Sequence, residues 1–158
     1  MKIGLISDTH TYSLDPWILE AFRGVDLILH AGDIISENVL FELSALAPAY
    51  GVRGNCDPFT PEIPPIRRVQ YHEREIVIAH RFEQVIGLVT QRTLLVVHGH
   101  THEPRFEPEE HYWVANPGSP SSPRGGARPS ILVVEVQKQG NARICKGEFK
   151  FPPHLADG

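Results

Sequence analysis

Apolar residues along this chain gather into short runs, and run after run stops at an acidic, imidazole or amide side chain. Lys2 to Ser7 reads as a first strand ending in Asp8-Thr9-His10. Pro16 suits the first turn of a helix with Asp15 as its N-cap, running to about Arg23 before Gly24. Val25 to Leu29 is a second strand, followed by His30-Ala31-Gly32-Asp33. Ser36 then caps a helix whose Val39, Leu40, Leu43 and Leu46 share one face, with Glu37 near its positive N-terminus, and Pro48 stops it. Ala49 to Arg53 is a short third strand leading into Gly54-Asn55-Cys56-Asp57.

Pro58 to Pro65 holds four prolines and must cross the surface as a loop. Strands follow at Arg67 to Tyr71 and Glu75 to Ala79, turning at His72-Glu73-Arg74, and the second ends at His80. A short helix is expected over Glu83 to Gln91. The run Thr93 to Val97, β-branched and leucine-rich, reads as a strand buried on both faces and opens into His98-Gly99-His100-Thr101-His102. A Pro- and Glu-rich loop leads to a strand at His111 to Ala115, then Asn116-Pro117-Gly118-Ser119. Ile131 to Gln137 and Ala142 to Phe151 pair as a hairpin through Gly140-Asn141, and Pro152 to Gly158 is expected to fray.

The order is βαβα and then mostly strands, an α/β protein of two packed sheets flanked by helices. Its 158 residues fit one domain, residues 1–158, with a substantial core. A net charge of -4 without a basic run excludes general nucleic-acid affinity and attraction to anionic membranes. Cys56 and Cys145 are too few for a disulfide framework, so cytoplasmic residence is expected. The apolar start is broken by Asp8 and His10 too early for a signal or membrane-spanning segment.

Five predicted strands end in a loop bearing Asp8 and His10, Asp33, Asn55, His80, or His100 and His102. Singly, Asp8 or Asp33 reads as a cap or turn residue, His10 and His80 as polar residues at strand ends, and Asn55 as an Asx-turn. Those readings leave unexplained why every one falls at a strand end. Carboxylate and imidazole together suit divalent ions such as Mn, Fe, Ni, Co or Zn. One ion needs three or four protein ligands; these seven suffice for two ions sharing a carboxylate. Gly32 and Gly54 precede donors at sharp turns where a Cβ could block the bend or the metal. His30 and His98 fall outside this set and are expected to do no more than hydrogen-bond behind it.

Asp8-Thr9-His10, Gly32-Asp33, Gly54-Asn55-Cys56-Asp57, His80 and Gly99-His100-Thr101-His102 resemble, in order, the five blocks of the calcineurin-like metallophosphoesterases. The match is closest to their small single-domain phosphodiesterase branch, and Asn116 to Pro120 with Pro123-Arg124 is similar to a further block of that branch. The resemblance covers about Met1 to Val136. It implies a four-layer α/β/β/α sandwich of two mixed sheets, with a dinuclear site at the strand C-terminal ends. It assigns Asp8, His10, Asp33 and His102 to one metal, and Asp33, Asn55, His80 and His100 to the other. Asp33, as the bridge, and Asn55 are the catalytic candidates. A metal-bridging hydroxide would attack a small phosphodiester in line with the leaving group.

Two divalent ions are the expected cofactors, manganese first, with nickel, iron, cobalt and zinc as alternatives. Two positions depart from the pattern. Arg81 stands where the fourth block usually has Gly, and it could reach a phosphate or point to solvent. Cys56 stands where larger relatives carry His; both residues are candidate substrate contacts. A protonated thiol carries no positive charge and donates weakly, which disfavours dianionic monoesters more than diesters. The competing reading is a non-enzymatic protein-assembly scaffold, the use to which the retromer subunit of this branch is put. A scaffold has no need to keep all seven donors. The physiological substrate stays unassigned, and self-association into a homo-oligomer stays open.

Overall fold

The computed structural model describes residues 1–58 and 60–153. The elements are β1 (Lys2–Ile6), α1 (Pro16–Ala21), β2 (Leu27–His30), α2 (Glu37–Ser44), β3 (Ala49–Gly51), β4 (Ile66–Tyr71), β5 (Arg74–Ala79), α3 (Phe82–Ile86), β6 (Thr93–Val97), β7 (Arg105–Pro108), β8 (Trp113–Asn116), β9 (Ile131–Gln139) and β10 (Ala142–Lys150). They build two five-stranded sheets, ordered β10-β9-β1-β2-β3 and β4-β5-β6-β8-β7. β1, β2 and β3 run parallel in the first, and β5, β6 and β8 in the second. Both sheets are mixed, since β9 lies antiparallel to β1, β4 to β5, and β7 to β8.

Period-two alternation sorts each strand's side chains between two layers. Ile3 and Leu5 of β1, Leu29 of β2, Ile76 and Ile78 of β5 and Leu132 and Val134 of β9 meet in the central core between the sheets. Ile6, Ile28 and Ile131 face the other way, onto Ile18 of α1 and Val39 and Leu43 of α2. Val77, Ala79 and Val96 pack outward against Val85 of α3. The result is helix, sheet, sheet, helix, as expected. The apolar run of β6 is buried along its whole length. A register shift opposite Glu75 and Ile76 lets both Leu94 and Leu95 enter the central core.

Several details differ from the sequence expectation. Asp15 has extended N-cap geometry, but its side chain makes no capping bond; the backbone carbonyl accepts from Ile18 N–H instead. Ser36 caps α2 as expected, accepting from Asn38 N–H at 3.2 Å. α3 stops at Ile86, well short of Gln91, consistent with the weak helix propensity of Gly87. β7 was expected as loop. Phe106 of that strand packs against the central core while Glu107 and Pro108 are exposed, so this edge strand shows no apolar alternation. The fraying expected from Pro152 concerns mainly residues 154–158, which lie outside the described residues.

Among the described residues no helix is long and apolar enough to cross a membrane.

Phe22 follows α1, is fully buried, and rests its ring directly over Gly4 of β1. Phe22→Ala is expected to lower unfolding free energy by about 3–5 kcal/mol in a urea titration.

Candidate metal centre

The parallel strands of both sheets deliver their C-terminal ends to one edge of the sandwich. There the loops are tied to one another within each sheet, and by His100 and Asp8 across the two. Asp8 N–H donates to Gly32 O at 2.9 Å, Gly99 N–H to His80 O at 2.9 Å, and His100 N–H to Asp8 Oδ2 at 3.0 Å. Asp8, His10, Asp33, Asn55, His80, His100 and His102, the seven donors named from the sequence, form one contiguous cluster. His102 Nε2 is 3.2 Å from Asp8 Oδ1, and His10 Nε2 is 3.5 Å and His80 Nε2 3.4 Å from Asp33 Oδ2. Asn55 Oδ1 lies 2.9 Å from His80 Nε2 and 3.1 Å from His100 Nδ1. Three donor groups could each hold an ion: Asp8, His10 and His102; Asp8, Asp33 and His80; and His10, Asp33 and Cys56.

The imidazoles are oriented from behind. His80 Nδ1 donates to Ala31 O at 2.7 Å and His102 Nδ1 to Ser122 O at 2.5 Å, leaving each Nε2 lone pair facing the cluster. Asp8 is fully buried; its Oδ2 accepts from Ser7 Oγ, while Oδ1 has no hydrogen-bond donor, nor does the buried Nε2 of His10. Buried polar atoms without partners are costly. A divalent cation among these donors satisfies both, so the residues fit a metal. Two cavities of about 500 Å³ lie elsewhere, against Lys2 and Arg23 and against Tyr50 and Arg67. Neither gathers such donors.

Charge follows the same geometry. Burial pushes the Asp33 carboxyl up, but the adjacent His80 imidazole, the Cys56 N–H bond and nearby His10 outweigh it and hold Asp33 well below the carboxylate range. Burial pulls His80 down, and the adjacent Asp33 carboxylate, the bond to Ala31 O and nearby Asp8 reverse this, so it is raised. His100 is lowered by burial and by the neighbouring His80 and Arg81. The Cys56 thiol is raised by burial and by the carboxylate of Asp33, which keeps it protonated at neutral pH. Arg81 is exposed at the N-cap of α3, its N–H donating to Gln84 Oε1 at 3.2 Å.

The turns are tight for a reason. Asp8, His10, Asp33, His100 and His102 all have positive φ, between 49° and 73°, a region costly for residues with a Cβ. A Cβ on Gly54 would stand 2.2 Å from Asp33 Oδ1, and one on Gly32 would stand 2.6 Å from His80 Nδ1. These glycines therefore make room for donor side chains.

Asp57 was not singled out from the sequence. Its Oδ2 accepts from Asp33 N–H at 2.9 Å and Gly54 N–H at 2.8 Å, and its Oδ1 from Ile35 N–H at 2.8 Å. One carboxylate thus staples the second and third donor loops together. Ser119 and Ser121 hydroxyls donate to the backbone oxygens of Asp8 and Thr9 at 2.8 and 2.6 Å. Asn116 Nδ2 reaches Thr101 Oγ1 at 3.0 Å, so the Asn116–Ser119 turn braces the centre. His30 does so too: its Nδ1 accepts from Gly32 N–H at 3.1 Å and its Nε2 meets Thr9 Oγ1 at 3.0 Å.

The model of the calcineurin-like phosphoesterase superfamily domain matches residues 1–139. A protein of Methanothermobacter thermautotrophicus named probable metallophosphoesterase is 36% identical over 149 residues, covering 86% of each chain. The structure of an archaeal phosphodiesterase is 25% identical with a TM-score of 0.74, over 95% of this chain and all of the other. Vps29 of Entamoeba histolytica, solved with zinc, shares the fold at 16% identity and a TM-score of 0.71, over 94% of this chain and 99% of its own. The chain belongs to the calcineurin-like phosphoesterase superfamily. Phosphoester chemistry dependent on metal is what that family does.

Asp57→Asn leaves one acceptor oxygen for three N–H groups. It is expected to weaken manganese binding about 10- to 100-fold in calorimetry while the chain stays folded.

Burial pulls the His30 imidazole down from its ordinary 6.5 to about 3. Between those values the unfolded chain binds a proton that the folded chain refuses. His30's contribution is therefore full above pH 6.5 and shrinks as pH falls toward 3. Urea unfolding of metal-free protein should show a smaller gap between wild type and His30→Asn at pH 5 than at pH 7.

Proposed function

We propose that the protein hydrolyses a phosphodiester with two divalent ions, manganese first among them. Asp8, His10, Asp33 and His102 would hold one ion, and Asp33, Asn55, His80 and His100 the other. The observation that carries this reading is the buried, undonated Asp8 Oδ1, with inward-facing imidazole lone pairs around it and Asp33 beside it. When bound, two ions supply an activated water and charge for the attacking and leaving oxygens of an in-line displacement. The chain's own part is to place them. Asp33 sits between the two donor sets with its charge retained by its hydrogen bonds, and Asn55 Oδ1 reaches both His80 and His100.

Cys56 supports a diester rather than a monoester. Its Sγ lies in the group with His10 and Asp33, and as a neutral thiol it adds neither positive charge nor a strong proton donor. Arg81 stands beside His80 as a further cation for the phosphate. A protein-assembly scaffold needs no such donor set, which favours the enzyme. The two free thiols, one exposed and one buried, suit a reducing cytoplasm.

Protein reconstituted with manganese is expected to approach two ions per chain by elemental analysis; saturation at one removes the dinuclear reading. Asp33→Asn should lose nearly all turnover of bis(4-nitrophenyl) phosphate while remaining folded, and normal turnover would show the bridge is elsewhere.

Cys56→His introduces the missing cation and acid. The ratio of kcat/KM for an aryl monoester to that for the matching diester is expected to rise, more at pH 6 than at pH 8, because more imidazolium is present at the lower pH. An unchanged ratio in a variant that binds its metals places specificity elsewhere.

A further inference from the structure

Ile35 is held in a conformation that its packing does not repay. Its φ is 69°, an outlier for a β-branched residue, and strain of this kind persists where surroundings impose it and clusters at functional sites. Yet the residue is 41% exposed, so core packing is not the reason. The surroundings are Asp57, which accepts from Ile35 N–H at 2.8 Å with one oxygen and from Asp33 N–H at 2.9 Å with the other. One carboxylate thus sets a candidate metal donor and, two residues on, an exposed isoleucine.

A parallel bridge between Thr11 and Ile35 joins this turn to the loop carrying His10. The next residue there, Tyr12, is 80% exposed, and Asn38 Nδ2 donates to its carbonyl at 2.9 Å. Two large apolar residues therefore flank the loops where His10 and Asp33 meet at 3.5 Å, and the core uses neither. A phosphodiester is a singly charged phosphate between two organic groups. With the phosphate at the donors, an organic group must lie over the rim.

We propose that Ile35 and Tyr12 form an apolar lip that receives an ester group of the substrate, so that the substrate class is a phosphodiester bearing a bulky apolar or planar organic group. This rests on the phosphodiesterase reading above. Covering about 60 Å² of ring surface is worth about tenfold in affinity.

The test uses the full chain loaded with manganese and two probes of equal charge, diphenyl phosphate and dimethyl phosphate, with dissociation constants from calorimetry. Wild type is expected to bind the diphenyl ester about tenfold more tightly. Ile35→Gly suits the left-handed backbone and removes the side chain; Tyr12→Ala alters an exposed position. Each should reduce the preference severalfold without lowering the unfolding midpoint or the manganese stoichiometry. Wild type without the preference, or both variants retaining it in full, overturns the lip, as it would if a second copy or another protein covered this edge. Preference without hydrolysis of bis(4-nitrophenyl) phosphate keeps the lip and removes the phosphodiesterase reading; hydrolysis without preference removes the lip alone.

Discussion

Two carboxylates buried where two sheets meet set the terms for everything around them. An ionised group taken from water must be paired or coordinated. Asp8 spends one oxygen on the Ser7 hydroxyl and the His100 N–H and keeps the other bare. Asp33 is anchored through its own N–H by Asp57 and through its side chain by Cys56 N–H. Neither arrangement neutralises the charge. The four neighbouring imidazoles can answer it only as imidazolium or through an ion, and the backbone carbonyls behind His80 and His102 turn their Nε2 atoms inward for the second.

Strand order makes that convergence possible. A parallel strand presents a turn at its C-terminal end, and six such strands from two sheets finish at one edge. The apolar alternation that sorts Ile3 and Leu5 from Ile6 also fixes which way each following loop leaves the sheet. The core thereby places the donors, and through the Ala31 carbonyl it also aims one of them, His80.

What could be read from the chain follows the same division. β6 was legible because a strand buried on both faces is a continuous apolar run, and the donors were legible because Asp, His and Asn ended successive runs. β7 was hidden by an exposed Glu107 and Pro108 on an edge strand. Asp57 was hidden because its partners are backbone N–H groups, one of them 24 residues away. The Ser122 carbonyl that orients His102 leaves no mark in residue type at all. Side chains that bind ions advertise themselves; the backbone groups that aim them do not.

Strain bears on the choice between the two uses of this fold. A surface that docks another protein can be built from relaxed strands and helices anywhere on the sandwich. Here five donors hold left-handed backbone angles, each a local cost that tertiary hydrogen bonds must offset. The bonds that do so run between donor loops, as from Asp8 N–H to Gly32 O and from His100 N–H to Asp8 Oδ2, and from the loop of Ser119 and Ser121 that braces them. Such rigidity orders the donors before any ligand arrives, which is what metal-assisted hydrolysis requires of its supporting shell. Docking at a distant face would gain nothing from it. The conformational cost is concentrated at the candidate metal donors, and that is where the function should be sought.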